Sequence, residues 1–290
     1  MNRRHFLQVS FASSLAIPAF ALEANNPYRK NIGIQLYTLR NELKKDLPAT
    51  LYSVGKAGYQ QVEPYGFPDD MALEMVKVAK DEGMAVNSSH FAWESVTNPT
   101  KDGVPEFDLI LEKAKEAELS HLVIPYLHTH ERGTADDYKR TADLFNAAAV
   151  KANETGIQLS YHNHAFEFEP FADDSTGYGI FIERFAPEMK FEMDVFWVKV
   201  GGADPVDMLT LMKGRVSQLH LKDLEKDFAI PQYGSIPPES FKELGNGMIP
   251  MEPIIEAAAV AEVDHCHVEQ DHSPDAMNSI RESMDYLIAL

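Results

Sequence analysis

ADDYKRTADLFNAAAVKANETGIQLSYHNH, residues 135–164, holds one full unit of a pattern that the rest of the chain repeats. Tyr138, Ala142, Phe145, Ala149 and Ala152 recur at the three- and four-residue spacing of an amphipathic helix. Gly156 follows, suited to the left-handed residue that ends a helix, and IQLSYHNH then reads as a strand. The strand closes on His162 and His164, two residues apart and therefore on one face, with Glu167 just beyond. One histidine there would pass as a core residue; two beside a carboxylate suggest a site.

Working outward, short apolar runs alternate with helical stretches along the whole chain. The runs are 32–39, 59–66, 84–91, 121–127, 157–164, 190–197, 216–223 and 264–271, eight in number. Helical periodicity is clearest over 47–58, 69–83, 105–118 and 135–156, and Gly58, Gly83 and Gly156 stand at three of the expected helix ends. Eight strands alternating with helices and no compositional seam predict a single-domain parallel (β/α)8 barrel, a TIM barrel, over residues 22–290. A doubly wound sheet is the rival. It calls for a glycine-rich turn after the first strand, and LYTLRNEL has none.

Composition sets further bounds. The chain of 290 residues is 44% hydrophobic, enough for a large core, and carries 45 acidic against 26 basic side chains, a net charge of −19. That surface repels nucleic-acid phosphates and anionic lipid. Residues 1–21 read as a signal peptide, with Arg3-Arg4, a short apolar run and the small-x-small site Ala19-Phe20-Ala21. The run RRHFLQ resembles the twin-arginine export motif, so a periplasmic or secreted location, with no membrane association after cleavage, is expected. Cys266 is the only cysteine, which leaves no intrachain disulfide.

Barrel active sites sit at the C-terminal strand ends. There the fifth strand offers His162 and His164, the sixth Asp194, the seventh His220 and the eighth Glu269. Neighbouring strands lie about 4.8 Å apart, so these groups can converge on one ion. Mixed imidazole and carboxylate ligation suits Mn2+, Mg2+, Co2+ or Zn2+. Each residue also has a plainer role: Asp194 could cap the next helix, His220 could be a core residue, and Glu269 could pair with Lys222. His121, His130 and His265 are expected at the surface, and His128 is left undecided.

HNH on strand five, MD on strand six, HLKD on strand seven and VEQD on strand eight resemble the xylose-isomerase-like barrel family of sugar phosphate isomerases and epimerases, across about residues 30–290. The resemblance implies one divalent cation held by Glu, Asp, His and Glu, the last three roles falling on Asp194, His220 and Glu269. Where the family has Glu before Asn, this chain has His162 before Asn163. Either His162 replaces that ligand or Glu167 reaches back to it; the strand-borne His162 is preferred, which frees Glu167 as an acid/base. Trp197 stands where such epimerases often place a substrate-contacting histidine, and so suggests a stacking platform.

The implied chemistry is proton transfer on a free sugar or keto-sugar through an enediolate stabilised by the cation. Glu269 and Glu167 would move protons, Lys222 would polarise an oxygen, and His164 would bond a hydroxyl. Gln35, Tyr37, Glu63, Tyr65, His90, Trp93 and Trp197 are candidates for the pocket lining. Two rival readings are a lyase or hydrolase that cleaves 3-keto-glycosides by β-elimination, and a periplasmic sugar-binding protein without catalysis. A homo-oligomer is compatible with the sequence, and the proline- and aromatic-rich stretch 228–240 reads as a lid or a subunit contact.

Overall fold

The computed structural model describes residues 26–290; the expected signal segment, 1–21, lies outside them. Each predicted apolar run contributes a strand to one sheet: β1 (Gly33–Gln35), β2 (Gln61–Glu63), β3 (Ser88–His90), β4 (His121–Ile124), β5 (Gln158–His162), β6 (Met189–Asp194), β7 (Val216–Leu221) and, after a small hairpin, β10 (His265–Val268). The hairpin strands are β8 (Asp223–Leu224) and β9 (Phe241–Lys242), paired antiparallel. The eight main strands are parallel, in the order β2-β1-β10-β7-β6-β5-β4-β3. Backbone bonds between the two end strands close the ring, Val62 N to Ala85 O at 2.9 Å and His90 N to Pro64 O at 2.9 Å among them. The structure is a TIM barrel.

Helices cover the outside where the periodicity puts them: α2 (Leu47–Ala57), α3 (Asp70–Asp81), α5 (Phe107–Glu116) and α6 (Ala135–Glu154), with α1 (Arg40–Leu43) and α4 (Glu94–Thr97) as short turns between. Gly58, Gly83 and Gly156 have φ of 106°, 81° and 82°, left-handed ends open to glycine at little steric cost. Helices α7 (Gly177–Arg184), α8 (Val195–Val200), α9 (Pro205–Leu211), α10 (Met251–Val260) and α11 (Ala276–Ala289) complete the coat. Two predicted strands overran: Leu36–Leu39 is a 3-10 turn, and Val195 already begins α8, because Gln35 and Asp194 side chains cap the backbone there. His121 is buried rather than at the surface, its ring 3.4 Å from Asp264.

Alternation along the strands sorts the core into two layers. Outward residues such as Ile34, Val62, Leu159, Tyr161, Phe191 and Leu219 are fully buried against the helices. Phe145 of α6 meets Tyr161 at 5.8 Å between ring centroids, and Tyr161 meets Phe181 of α7 at 5.0 Å. Each such ring stabilises the fold by about 1.5–3 kcal/mol through burial. Inward residues are polar, and they bond across the barrel: Gln218 on β7 reaches Ser88 on β3, and His90 on β3 reaches Glu192 on β6. Gly33 takes the inward place on β1 because a Cβ there would stand 2.4 Å from the His267 ring.

The loop from 245 to 249 is pinned to the barrel by a single side chain. The buried Asp223 carboxylate accepts from Leu224 N (2.8 Å), Ile249 N (2.9 Å), Gly247 N (2.9 Å) and Gly245 N (3.0 Å). Replacing Asp223 by Ala should lower the unfolding free energy by about 3 kcal/mol, since buried donors lose their acceptor. Guanidinium denaturation checks this, and a loss below about 1 kcal/mol would refute the pinning role.

Candidate metal centre and active site

Parity and strand register bring the predicted ligands together. Asp194 and His220 are direct neighbours across β6 and β7. Glu269 follows β10, its N–H bonded to Leu221 O at 3.0 Å, and His162 ends β5. One ligand atom from each of His162, Asp194, His220 and Glu269 lies within 4.8 Å of the other three, and all four residues are buried. Their plainer roles hold as well. Oδ1 of Asp194 caps α8 through Phe196 N (2.9 Å) and Trp197 N (3.1 Å), while Oδ2 faces His162 Nε2 at 3.3 Å. Asp194 is both cap and site residue.

Lys222 stands in the same group. Its fully buried ammonium lies 3.0 Å from Asp194 Oδ2, 2.9 Å from Glu269 Oε2 and 2.6 Å from Asp271 Oδ2. Burial works against its charge, but those three carboxylates outweigh it and raise its pKa well above the usual lysine value. Burial likewise opposes ionisation of Asp194 and Glu269; Lys222 leads the groups that hold both below the usual carboxylate range. Asp271 is pushed up, first by burial and then by the repulsion of Glu269.

A second layer lies one step deeper. His220 Nδ1 bonds Glu269 at 2.9 Å, and its Nε2 lies 2.8 Å from Glu63 and 3.2 Å from Glu192. His90 Nε2 bonds Glu192 at 2.8 Å, so Glu63, His90, Glu192 and His220 form another compact buried group. Against the cost of burial, Glu192 raises the pKa of both histidines, His220 well above the ordinary value. His267 has neither ring nitrogen bonded, and burial pulls it down to about 3.

Across both layers the carboxylates of Glu63, Glu192, Asp194, Glu269 and Asp271 gather around Lys222, His90 and His220. A cation bound through His220 would replace a proton on that imidazole. The upper donor set, two imidazoles and two carboxylates without a thiol, suits Mn2+, Co2+, Zn2+ or Mg2+ rather than a softer ion. The buried His162 Nδ1 has no hydrogen-bond partner. These residues fit a divalent cation.

The other expected site residues separate. His164 lies beside His162, ring centroids 5.0 Å apart, with Trp197 at 5.3 Å on its far side. Burial, then the neighbouring His162 and Lys222, pull its pKa well below the ordinary value, so the ring stays neutral. Trp93 packs on His128 at 5.2 Å, and both indole N–H groups, of Trp93 and Trp197, lack partners. Tyr37 and Tyr65 meet edge to face at 5.5 Å. Gln35 and Glu63 end β1 and β2 fully buried and bonded to each other at 2.8 Å, and His90, the last residue of β3, bonds Glu192 in the deeper layer.

Glu167 is set apart from the cation group. It is fully buried, bonded to the Tyr161 hydroxyl and to His164 N at 2.9 Å, and burial pushes its pKa up to about 8. Of the two ligand alternatives, the structure brings His162 to the group and not Glu167. Sequence reasoning missed Asp271, Glu192 and His267. The last two sit two residues before Asp194 and Glu269, on the same inward parity, which was the available signal.

Residues 51–290 match the xylose isomerase-like TIM barrel family, and the chain belongs to it. Two solved structures from Parabacteroides distasonis ATCC 8503, each described as a sugar phosphate isomerase/epimerase, share 25% and 26% identity with it. Both give a TM-score of 0.71; they cover 90% and 94% of this chain and 98% and 99% of their own. A D-psicose 3-epimerase from Clostridium cellulolyticum H10, solved with D-tagatose, shares the fold at 15% identity and a TM-score of 0.62, covering 89% of this chain and 99% of its own. No curated protein sequence matches the chain.

Glu167 generates a pH prediction. Its folded pKa, about 8, lies above the unfolded carboxylate value of about 4.3, so the folded state keeps a proton that the unfolded chain loses. Its contribution to stability is complete below the unfolded pKa and drains away as pH rises through about 8. Glu167→Gln mimics the protonated acid, offering an N–H toward Tyr161 and an oxygen to His164 N. Denaturation at pH 5 and pH 8 should show a smaller loss of stability in the variant than in the parent; equal losses would refute the assignment.

Proposed function

We propose that the chain is an exported, divalent-metal-dependent sugar isomerase or epimerase that moves a proton at a carbon beside a carbonyl of a free sugar or keto-sugar. The supporting observation is the convergence of His162, Asp194, His220 and Glu269 at the barrel mouth, beside a histidine kept neutral. A divalent cation held there supplies electrophilic stabilisation of negative charge that develops on substrate oxygens.

The chain's own residues supply the rest. His164 makes no side-chain hydrogen bond and stays uncharged, so it can bond a substrate hydroxyl or carbonyl oxygen as a neutral imidazole. Glu269 uses Oε2 for His220 and Lys222, while its Oε1 makes no hydrogen bond and can carry the proton. Lys222, locked by three carboxylates, holds a fixed positive charge where an oxygen of the substrate gains electron density. The unpaired indole N–H groups of Trp93 and Trp197 are donors suited to hydroxyl oxygens. Trp197 and the ring of His164 form a wall for the sugar.

The test is metal removal with exchange as the readout. Chelation should abolish solvent-deuterium uptake at the carbon beside the carbonyl, and Mn2+ or Co2+ should restore it. His164→Leu, which removes that hydrogen bond, should slow exchange by about tenfold or more in the metal-loaded protein. Undiminished exchange after verified metal removal would overturn the proposal. Export is checked by fractionation: recovery of the whole uncleaved chain from the cytoplasm alone would remove that part.

A further inference from the structure

Beside His164 the barrel rim encloses a cavity of about 260 Å³, lined by Tyr126, Arg132, His164, Phe166, Trp197 and Tyr233. Arg132 is its only basic side chain apart from that histidine. The guanidinium lies over Phe166, 3.7 Å from the ring centroid, and beside Tyr126 at 5.8 Å. Its Nε donates to Leu127 O at 3.1 Å, and Nη2 makes only a long contact, 3.4 Å, with the Tyr126 hydroxyl. Among the described residues no carboxylate pairs with it.

Arg132 differs from other basic side chains without a carboxylate partner in lining the cavity beside His164. Lys222, by contrast, is met by three carboxylates. Arg132 has its Nε spent on the backbone and its plane fixed by Phe166, which leaves Nη1 without a hydrogen bond. The aromatic wall runs unbroken from this charge to the metal centre: Phe166 stacks on His164 at 5.3 Å with 6° between planes, and His164 adjoins His162.

From this geometry we infer that the site takes a sugar acid, with Arg132 holding a carboxylate at the end of the molecule remote from the reacting carbonyl. The inference rests on the isomerase or epimerase reading for the reaction, though not for the binding. A planar carboxylate matches a guanidinium edge and balances one charge with one charge. A phosphate dianion would bring a second negative charge, for which the cavity lining offers no second fixed cation. A neutral sugar would leave the guanidinium unpaired.

Binding to the metal-loaded full chain tests this by calorimetry, with glucuronate, glucose and glucose 6-phosphate as probes. Glucuronate should bind at least tenfold more tightly than glucose, and Arg132→Met should bring that ratio close to one. Arg132→Lys keeps the charge without the fork and should recover only part of the preference. Phe166→Leu, which removes the platform and keeps the arginine, should also lower the ratio, and it serves in place of Arg132→Met if that variant does not fold. Equal binding of glucuronate and glucose by the parent protein would overturn the inference, as would a preference that survives Arg132→Met. Tightest binding of the phosphate would overturn the carboxylate assignment. If uronate selectivity holds while no substrate exchanges deuterium, the reaction reading fails and the acid subsite stands; exchange on a neutral ketose with no uronate preference sinks only the subsite.

Discussion

The barrel depends on compensation of buried charge. Lys222 lies at its centre, gripped by Asp194, Glu269 and Asp271, and the imidazole of His220 joins the upper carboxylates to Glu63 and Glu192 below. None of these groups is expensive in company; each is expensive alone, since deleting one partner of a buried pair costs about 3–5 kcal/mol. Barrels of this architecture usually fill their interior with branched apolar side chains. Here the apolar half of each strand faces the helices, and the interior is a bonded polar stack that ends at the site.

This arrangement makes folding and ligand preorganisation one process. The cross-barrel bonds that satisfy Ser88, Gln218, His90 and Glu192 also fix the strand ends above them. His220, a candidate ligand, has one nitrogen already oriented by Glu63, a carboxylate behind an imidazole of the kind that tunes metal sites. The 228–240 stretch returns over the same mouth, bringing Tyr233 to the cavity beside Trp197 and tying back through Gln232 N to Val200 O at 2.8 Å.

Much of this was legible from period and parity. Helix spacing and the terminal glycines 58, 83 and 156 located the outer coat, and the eight apolar runs located the strands. Strand-end chemistry picked out His162, Asp194, His220 and Glu269 because the barrel puts such ends at one level. What stayed hidden was the pairing between inward side chains. Gln35 and Glu63 end their strands with inward parity, and periodicity does not reveal that they bond each other. For Glu167, the sequence shows a carboxylate in a loop beside histidines but not the 3-10 turn that folds it back to Tyr161. Arg132 and Asp271 lie in connections whose path no periodicity dictates.

Asp194 carries a consequence of its own. One of its oxygens faces the cation group while the other anchors the first turn of α8, and Trp197 rides on that turn. The proposed ligand group and the placement of Trp197 are therefore hinged on one carboxylate, so loss of that side chain confounds two effects: a missing donor and a drifting tryptophan. An amide of the same shape keeps the anchoring oxygen while its NH2 replaces the oxygen that faces the cation group. Comparing the two replacements would separate coordination from alignment at a position where a single deletion reports their sum.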